Sequence, residues 1–97
     1  MSIVWIFYGS NSNFPSGVFT VRQDAERWIW QHRLSGTLTA YPVDVGTYDW
    51  AVSTGMFKPK RDDQRSAEFI QRFSHAGQEH YHYENGRGGG NEDDEPE

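Results

Sequence analysis

The run Ile3-Val-Trp-Ile-Phe-Tyr8 constrains this chain more than any other segment. It is short, continuously apolar and made of strong β-formers, and it stops at Gly9 before the polar stretch Ser10 to Ser16. Such a run reads as a strand entering a loop. Alternation puts Ile3, Trp5 and Phe7 on one face and Val4, Ile6 and Tyr8 on the other. Both faces are apolar, which predicts an inner strand with cover on each side. Gly17 to Phe19 then resumes as a second strand, and the loop before it is long enough for an antiparallel return.

Helical spacing comes next. Thr20, with Gln23 three residues on, has the form of a capping box. Asp24 and Glu26 sit near the start, where the helix dipole favours anions. Val21, Ala25, Trp28, Ile29 and His32 share one face of a helix over 21–33. Leu38 to Val45 reads as a third strand, and Pro42 marks it as an edge or a strand end. A short helix is expected over 48–54, with Gly55 as its C′ residue. Ser66 caps a third helix bearing Phe69, Ile70 and Phe73, which Gly77 ends. Gln78 to Glu84 fits either strand or loop. The order β-β-α-β-α-α predicts an α+β fold. Its small, mainly antiparallel sheet carries the main helix on one face and two short helices after it, and the later segments cover the other face.

Charge divides the chain. The formal net charge is −5 in 97 residues. Residues 84–97 hold six acids (Glu84, Glu92, Asp93, Asp94, Glu95, Glu97) against Arg87, which leaves eight acids and eight bases in 1–83. All fifteen aromatic residues lie in that neutral body. The expected organisation is one domain over 1–85 and a disordered, acidic, glycine-rich tail over 86–97. The chain has no cysteine, which excludes a disulfide scaffold, a thiolate metal site and a cysteine nucleophile. The start Met1-Ser-Ile lacks the basic residue and long apolar stretch of a signal peptide, so a cytoplasmic protein is expected.

Four strings carry a resemblance: Phe14-Pro-Ser-Gly-Val-Phe19, Leu34-Ser-Gly-Thr-Leu-Thr-Ala-Tyr-Pro-Val-Asp-Val-Gly-Thr-Tyr-Asp-Trp-Ala51, Phe57-Lys-Pro-Lys60 and Gln78-Glu-His-Tyr-His-Tyr-Glu-Asn-Gly86. Through them nearly the whole body resembles a family of small uncharacterised bacterial proteins. The β-β-α-β opening also resembles small phage and bacterial modules in which Gly-Val-Phe precedes a helix. Both resemblances bear on fold and imply no particular chemistry.

Few constellations point to a reaction. On an extended segment His80 and His82 share a face, and His75 would add a third nitrogen for zinc or nickel, either as a bound metal or as a metal-dependent active site. Lys58, Lys60, Arg61 and Arg65 crowd one turn and would contact the phosphates of single-stranded nucleic acid. The neutral body and the neighbouring Asp62 and Asp63 count against that. Asp44 and Asp49 are a possible carboxylate pair, although Asp49 also fits the first turn of the short helix. No Gly-x-Ser-x-Gly string is present, and the run from Gly86 to Gly90 has no helix after it to cradle phosphate.

Trp30 lies about 100° round the helix from the apolar stripe and shares its side with Leu34. With Arg27 and Arg33 beside it, it has the make-up of an interface anchor. Trp50 raises the same point on the short helix. The expected function is a non-catalytic protein-binding module, a small cytoplasmic inhibitor or immunity-type protein. Its contact residues would be Trp30, Tyr48, Trp50 and Tyr81, and its partner a toxin or a basic enzyme. A homodimer would result if the first strand's second face found no cover within the chain.

Overall fold

A computed structural model describes residues 2–88. Five strands form one antiparallel sheet in the order β2-β1-β3-β4-β5. These are β1 (Ile3–Gly9), β2 (Pro15–Phe19), β3 (Gly36–Pro42), β4 (His80–Glu84) and β5 (Arg87–Gly88). The helices are α1 (Arg22–His32), α2 (Thr47–Ser53) and α3 (Ala67–Gln71), with a 3-10 turn at Asp62–Arg65. The architecture is the α+β class that the sequence predicts. β1 is an inner strand, paired with β2 on one side and β3 on the other.

One face of the sheet holds the core. Trp5 and Phe7 from β1, Leu38 and Ala40 from β3 and Tyr83 from β4 are buried against Ala25 and Ile29 of α1. Phe7 and Trp28 meet edge to face at 5.6 Å, and Phe19 tilts onto Trp28 at 5.5 Å. Such aromatic pairs add to what area burial supplies. The expected stripe on α1 holds at its centre: Ala25 and Ile29 are fully buried and Trp28 is half-buried, while Val21 and His32 at its ends are exposed.

Helix ends differ from the expectation in two places. Val21, not Thr20, occupies the N-cap of α1, and no side chain caps it. The third helix is much shorter than the span to Gly77. Ser66 does cap it, accepting from the Phe69 N–H at 3.2 Å, but α3 ends at Gln71. The chain then turns so that Phe73 and His75 pack against Phe57, at ring separations of 5.1 and 6.5 Å. A continued helix would keep Phe73 on the side of Phe69 but carry His75 round the axis and away from that contact. Pro42 is the last residue of β3, so it ends the strand, and β3 lies inside the sheet.

The C-terminal boundary also moves. Residues 80–84 are a strand, and Asn85-Gly86 forms a two-residue connection to β5. Both residues have positive φ, +52° and +87°, the conformation of a type I′ hairpin turn. Gly86 is buried on Trp30: a Cβ there would meet the Trp30 Cα and ring at 3.2 Å. Gly86 to Gly88 therefore belong to the sheet and not to a tail. The rest of the expected disordered tail, 89–97, lies outside the described residues.

Among the described residues, the second face of β1 is not covered as expected. Val4 and Ile6 are half-buried, and Tyr8 is 43% exposed. The later segments instead gather round Tyr48, whose ring contacts Phe57, Phe69 and Phe73 at 5.4–6.2 Å. They build a second, smaller aromatic cluster of their own.

Candidate functional site

Antiparallel register places two rows of side chains across the uncovered face. One row runs Val18, Ile6, Thr39, His80; the other runs Pro15, Tyr8, Thr37, His82. Val4 and Tyr41 form a further pair on the same face. The face is thus apolar toward the β2 edge and polar toward β4. Val18 is 65% exposed, and Phe14, in the loop just before β2, is 75% exposed. The Tyr8 hydroxyl donates to the Asn13 carbonyl at 2.5 Å and ties that loop to the face. β2 lies at the sheet edge, where one side of its backbone has no strand partner among the described residues.

The polar half is locally ordered. His80 Nδ1 lies 2.7 Å from the Gln78 carbonyl, which makes Nδ1–H the donor and leaves Nε2 as an acceptor. His82 Nδ1 is 3.3 Å from the Thr37 hydroxyl, and the two imidazole rings meet edge to face at 5.2 Å. His75 does not join them. It stacks on Phe73 in the aromatic cluster, and its Nδ1 accepts from the Gly77 N–H at 2.9 Å. Among the described residues, no three His, Cys, Asp or Glu side chains gather as a metal site. The three-nitrogen centre suggested by His75, His80 and His82 is not formed, because the hairpin strand and the loop before it send these rings to different clusters.

The four expected contact residues are likewise dispersed. Tyr48 is buried, with its hydroxyl donating to the Gln64 carbonyl at 2.8 Å. Its burial removes it from any contact surface. Trp30 is half-buried beneath Arg33, 3.6 Å from the ring centroid, and Arg87, at 4.9 Å. The cover comes from the helix C-cap and the β4–β5 hairpin. Tyr81 is half-buried with the Arg22 guanidinium 3.8 Å above its ring. Trp50 is half-buried on α2.

Tyr81 instead takes part in a latch between α1 and β4. Arg22 donates to the Tyr81 hydroxyl at 3.0 Å and pairs with Glu26 at 3.5 Å. Tyr81 donates to Glu79, and Tyr83 donates to Glu26 at 2.6 Å. Burial, and then the hydrogen bond to Glu26, push the Tyr83 phenol far above the usual tyrosine range. The native state therefore holds this proton where the unfolded chain releases it, from about pH 10 upward. Stability is expected to fall as pH rises past that point. Tyr83→Phe should flatten the alkaline limb of a melting-temperature-versus-pH curve, although it costs stability at neutral pH. An unchanged alkaline slope in the variant would remove Tyr83 as its source.

Two of the four bases of the basic turn stand beside carboxylates. Arg61 Nε contacts Asp63 at 3.0 Å, and that hydrogen bond holds the Asp63 carboxyl below its ordinary range. Arg65 donates to the Pro59 and Arg61 carbonyls and lies 3.9 Å from Asp62. Asp49 stands in the first turn of α2, the dipole-facing position that competes with its reading as a carboxylate pair with Asp44. Two features escaped the sequence reading. One is Gln78, 3% exposed and bonded to Ala40. The other is the groove beside Phe57, for which an isolated phenylalanine in a polar loop gave little warning. No helix among the described residues is long and apolar enough to cross a membrane.

No curated protein and no solved structure matches the chain. A family model does match residues 4–89, which take in the helices and all of the sheet but Ile3. The chain therefore belongs to the family described as Domain of unknown function (DUF7710).

Proposed function

We propose that the protein is a non-catalytic binding module that works by occupying a partner protein, in the manner of a small inhibitor or immunity protein. The observation that carries this reading is the uncovered sheet face and its edge, where Val18 is 65% and Tyr8 43% exposed, with Phe14 75% exposed in the loop that leads into β2. Exposed apolar side chains gathered at a sheet edge mark an interaction surface more often than a solvated one. Strand β2 adds a backbone edge that is unpaired among the described residues, on which a partner segment can lie as an added strand. Glu92, Asp93, Asp94, Glu95 and Glu97 would steer encounter with a basic partner and raise its rate more than its final affinity.

The contact surface on this reading is Phe14, Val18, Ile6 and Tyr8, and not the four residues that composition favours. A charge placed at its centre should be the most damaging change. Val18→Asp sits on an exposed strand position, so the melting temperature should move by no more than a few degrees. Retention of the native partner on immobilised protein should nonetheless fall at least tenfold. If Val18→Asp retained its partner fully while Trp30→Ala and Trp50→Ala lost it, the surface would lie on the helices instead.

A further inference from the structure

Beside the sheet, Phe57, Phe69, Arg72, Phe73, Ser74 and His75 line an open groove of about 410 Å³. That volume falls within the range of about 300–1,000 Å³ that small-molecule sites occupy. The groove shares no residue with the uncovered sheet face. Phe57, Phe69 and Phe73 are each half-buried: their rings pack on one another at 5.1–6.0 Å and still leave surface free. Buried Tyr48 supports all three.

The polar wall is one-sided. Arg72 carries a fixed positive charge. His75 accepts the Gly77 N–H at Nδ1, so its neutral ring carries the proton on Nε2 and offers a donor there. Ser74 adds a hydroxyl, and no lining residue is a carboxylate. Glu68 touches Arg72 at 3.4 Å, but both side chains are about three-quarters exposed, and such pairs are weakly held. The wall is also held in place. The His75 N–H donates to Gln78 Oε1 at 3.1 Å, and Gln78 Nε2 donates to the Ala40 carbonyl of β3 at 3.2 Å. A preformed apolar slot with a cation and neutral donors on one wall suits a ligand with a flat apolar body and an anionic acceptor.

We propose that this groove binds a planar aromatic carboxylate, with its ring on Phe57, Phe69 and Phe73 and its carboxylate toward Arg72 and His75. The test is a titration of the isotope-labelled full chain followed by NMR, with 2-naphthoate as the probe and neutral 2-naphthamide beside it. Saturable shifts are expected at the three phenylalanines and His75, with the amide binding at least fivefold more weakly. Arg72 is exposed, so Arg72→Gln keeps the fold and should lower naphthoate affinity to that of the amide. Val18→Asp should bind naphthoate as the wild type does. The proposal is overturned by an absence of saturable shifts, by equal affinity for naphthoate and naphthamide, or by an Arg72→Gln variant that binds undiminished. Groove shifts that follow protein concentration instead of probe would assign the slot to a second copy of the chain and overturn it equally.

Discussion

Gly36→Ala is expected to lower the melting temperature by some 10–20 °C, which corresponds to about 3 kcal/mol in a domain this small. Gly36 opens β3 and pairs with Gly9 of β1 and Tyr83 of β4, so it is held from both sides. A Cβ at this position would overlap the Tyr8 carbonyl oxygen and come within 2.8 Å of both the Gly9 Cα and the Phe7 ring. Two of those three neighbours are backbone, which cannot swing aside. The third belongs to Phe7, 2% exposed at the centre of the core. Relief requires β1 and β3 to separate at this end, which opens the ladder that positions the uncovered face. Circular dichroism melts of the variant and wild type measure this. A loss of less than about 3 °C would mean that the strands yield far more easily than their packing implies.

Gln78→Ala should cost about 2–3 kcal/mol, although it alters no apolar residue. The side chain satisfies two backbone groups at once: its oxygen accepts from His75 and its nitrogen donates to Ala40. Truncation withdraws the side-chain partner from both groups, and the position is 3% exposed. A buried polar group left unmatched loses its hydration as well as its bond, which is why the cost exceeds that of an ordinary hydrogen bond. The effect should reach beyond stability. His75 is positioned by the same bond, so amide hydrogen exchange should quicken across 74–78 before it quickens in β1. Uniform exchange behaviour in variant and wild type would show that the loop holds its place without the glutamine.

Much of this architecture was legible in local sequence. The continuous apolar run Ile3 to Tyr8 located an inner strand, although only its Trp5 and Phe7 side is buried. Ala25 and Ile29 followed from helical spacing, and Ser66 from the chemistry of an exposed N-terminus. The Asn85-Gly86 hairpin was legible as well, since that dipeptide is among the strongest short-range turn signals. The glycine run after it drew the residues into a tail instead. What local pattern does not convey is which of several apolar groups meets which. Phe57, Phe69, Phe73 and Tyr48 pack on one another and not on the second sheet face. That choice is made by long-range packing, and it leaves the second sheet face open.

The same limit applied to the site. Trp30 and Tyr81 carry the composition of interface anchors, yet each lies under an arginine of its own chain. Residues of more modest type, Val18 and Phe14, are the exposed ones. Exposure depends on neighbours brought from elsewhere in the chain, and no spacing rule records it. His80 and His82 did emerge on one strand face, as alternation requires, while His75 was drawn into the aromatic cluster by its stacking on Phe73.

Site-specific photo-crosslinking in the native cell tests the role of the uncovered face most directly. The photoreactive residue is placed at position 18 on that face or at position 24 on the solvent side of α1, both exposed. A discrete crosslinked partner is expected from position 18 and not from position 24, and adding Tyr8→Asp to the position-18 protein should abolish it. A partner captured from position 24 and not from position 18 would contradict the assignment and move the contact surface to the helical side of the molecule.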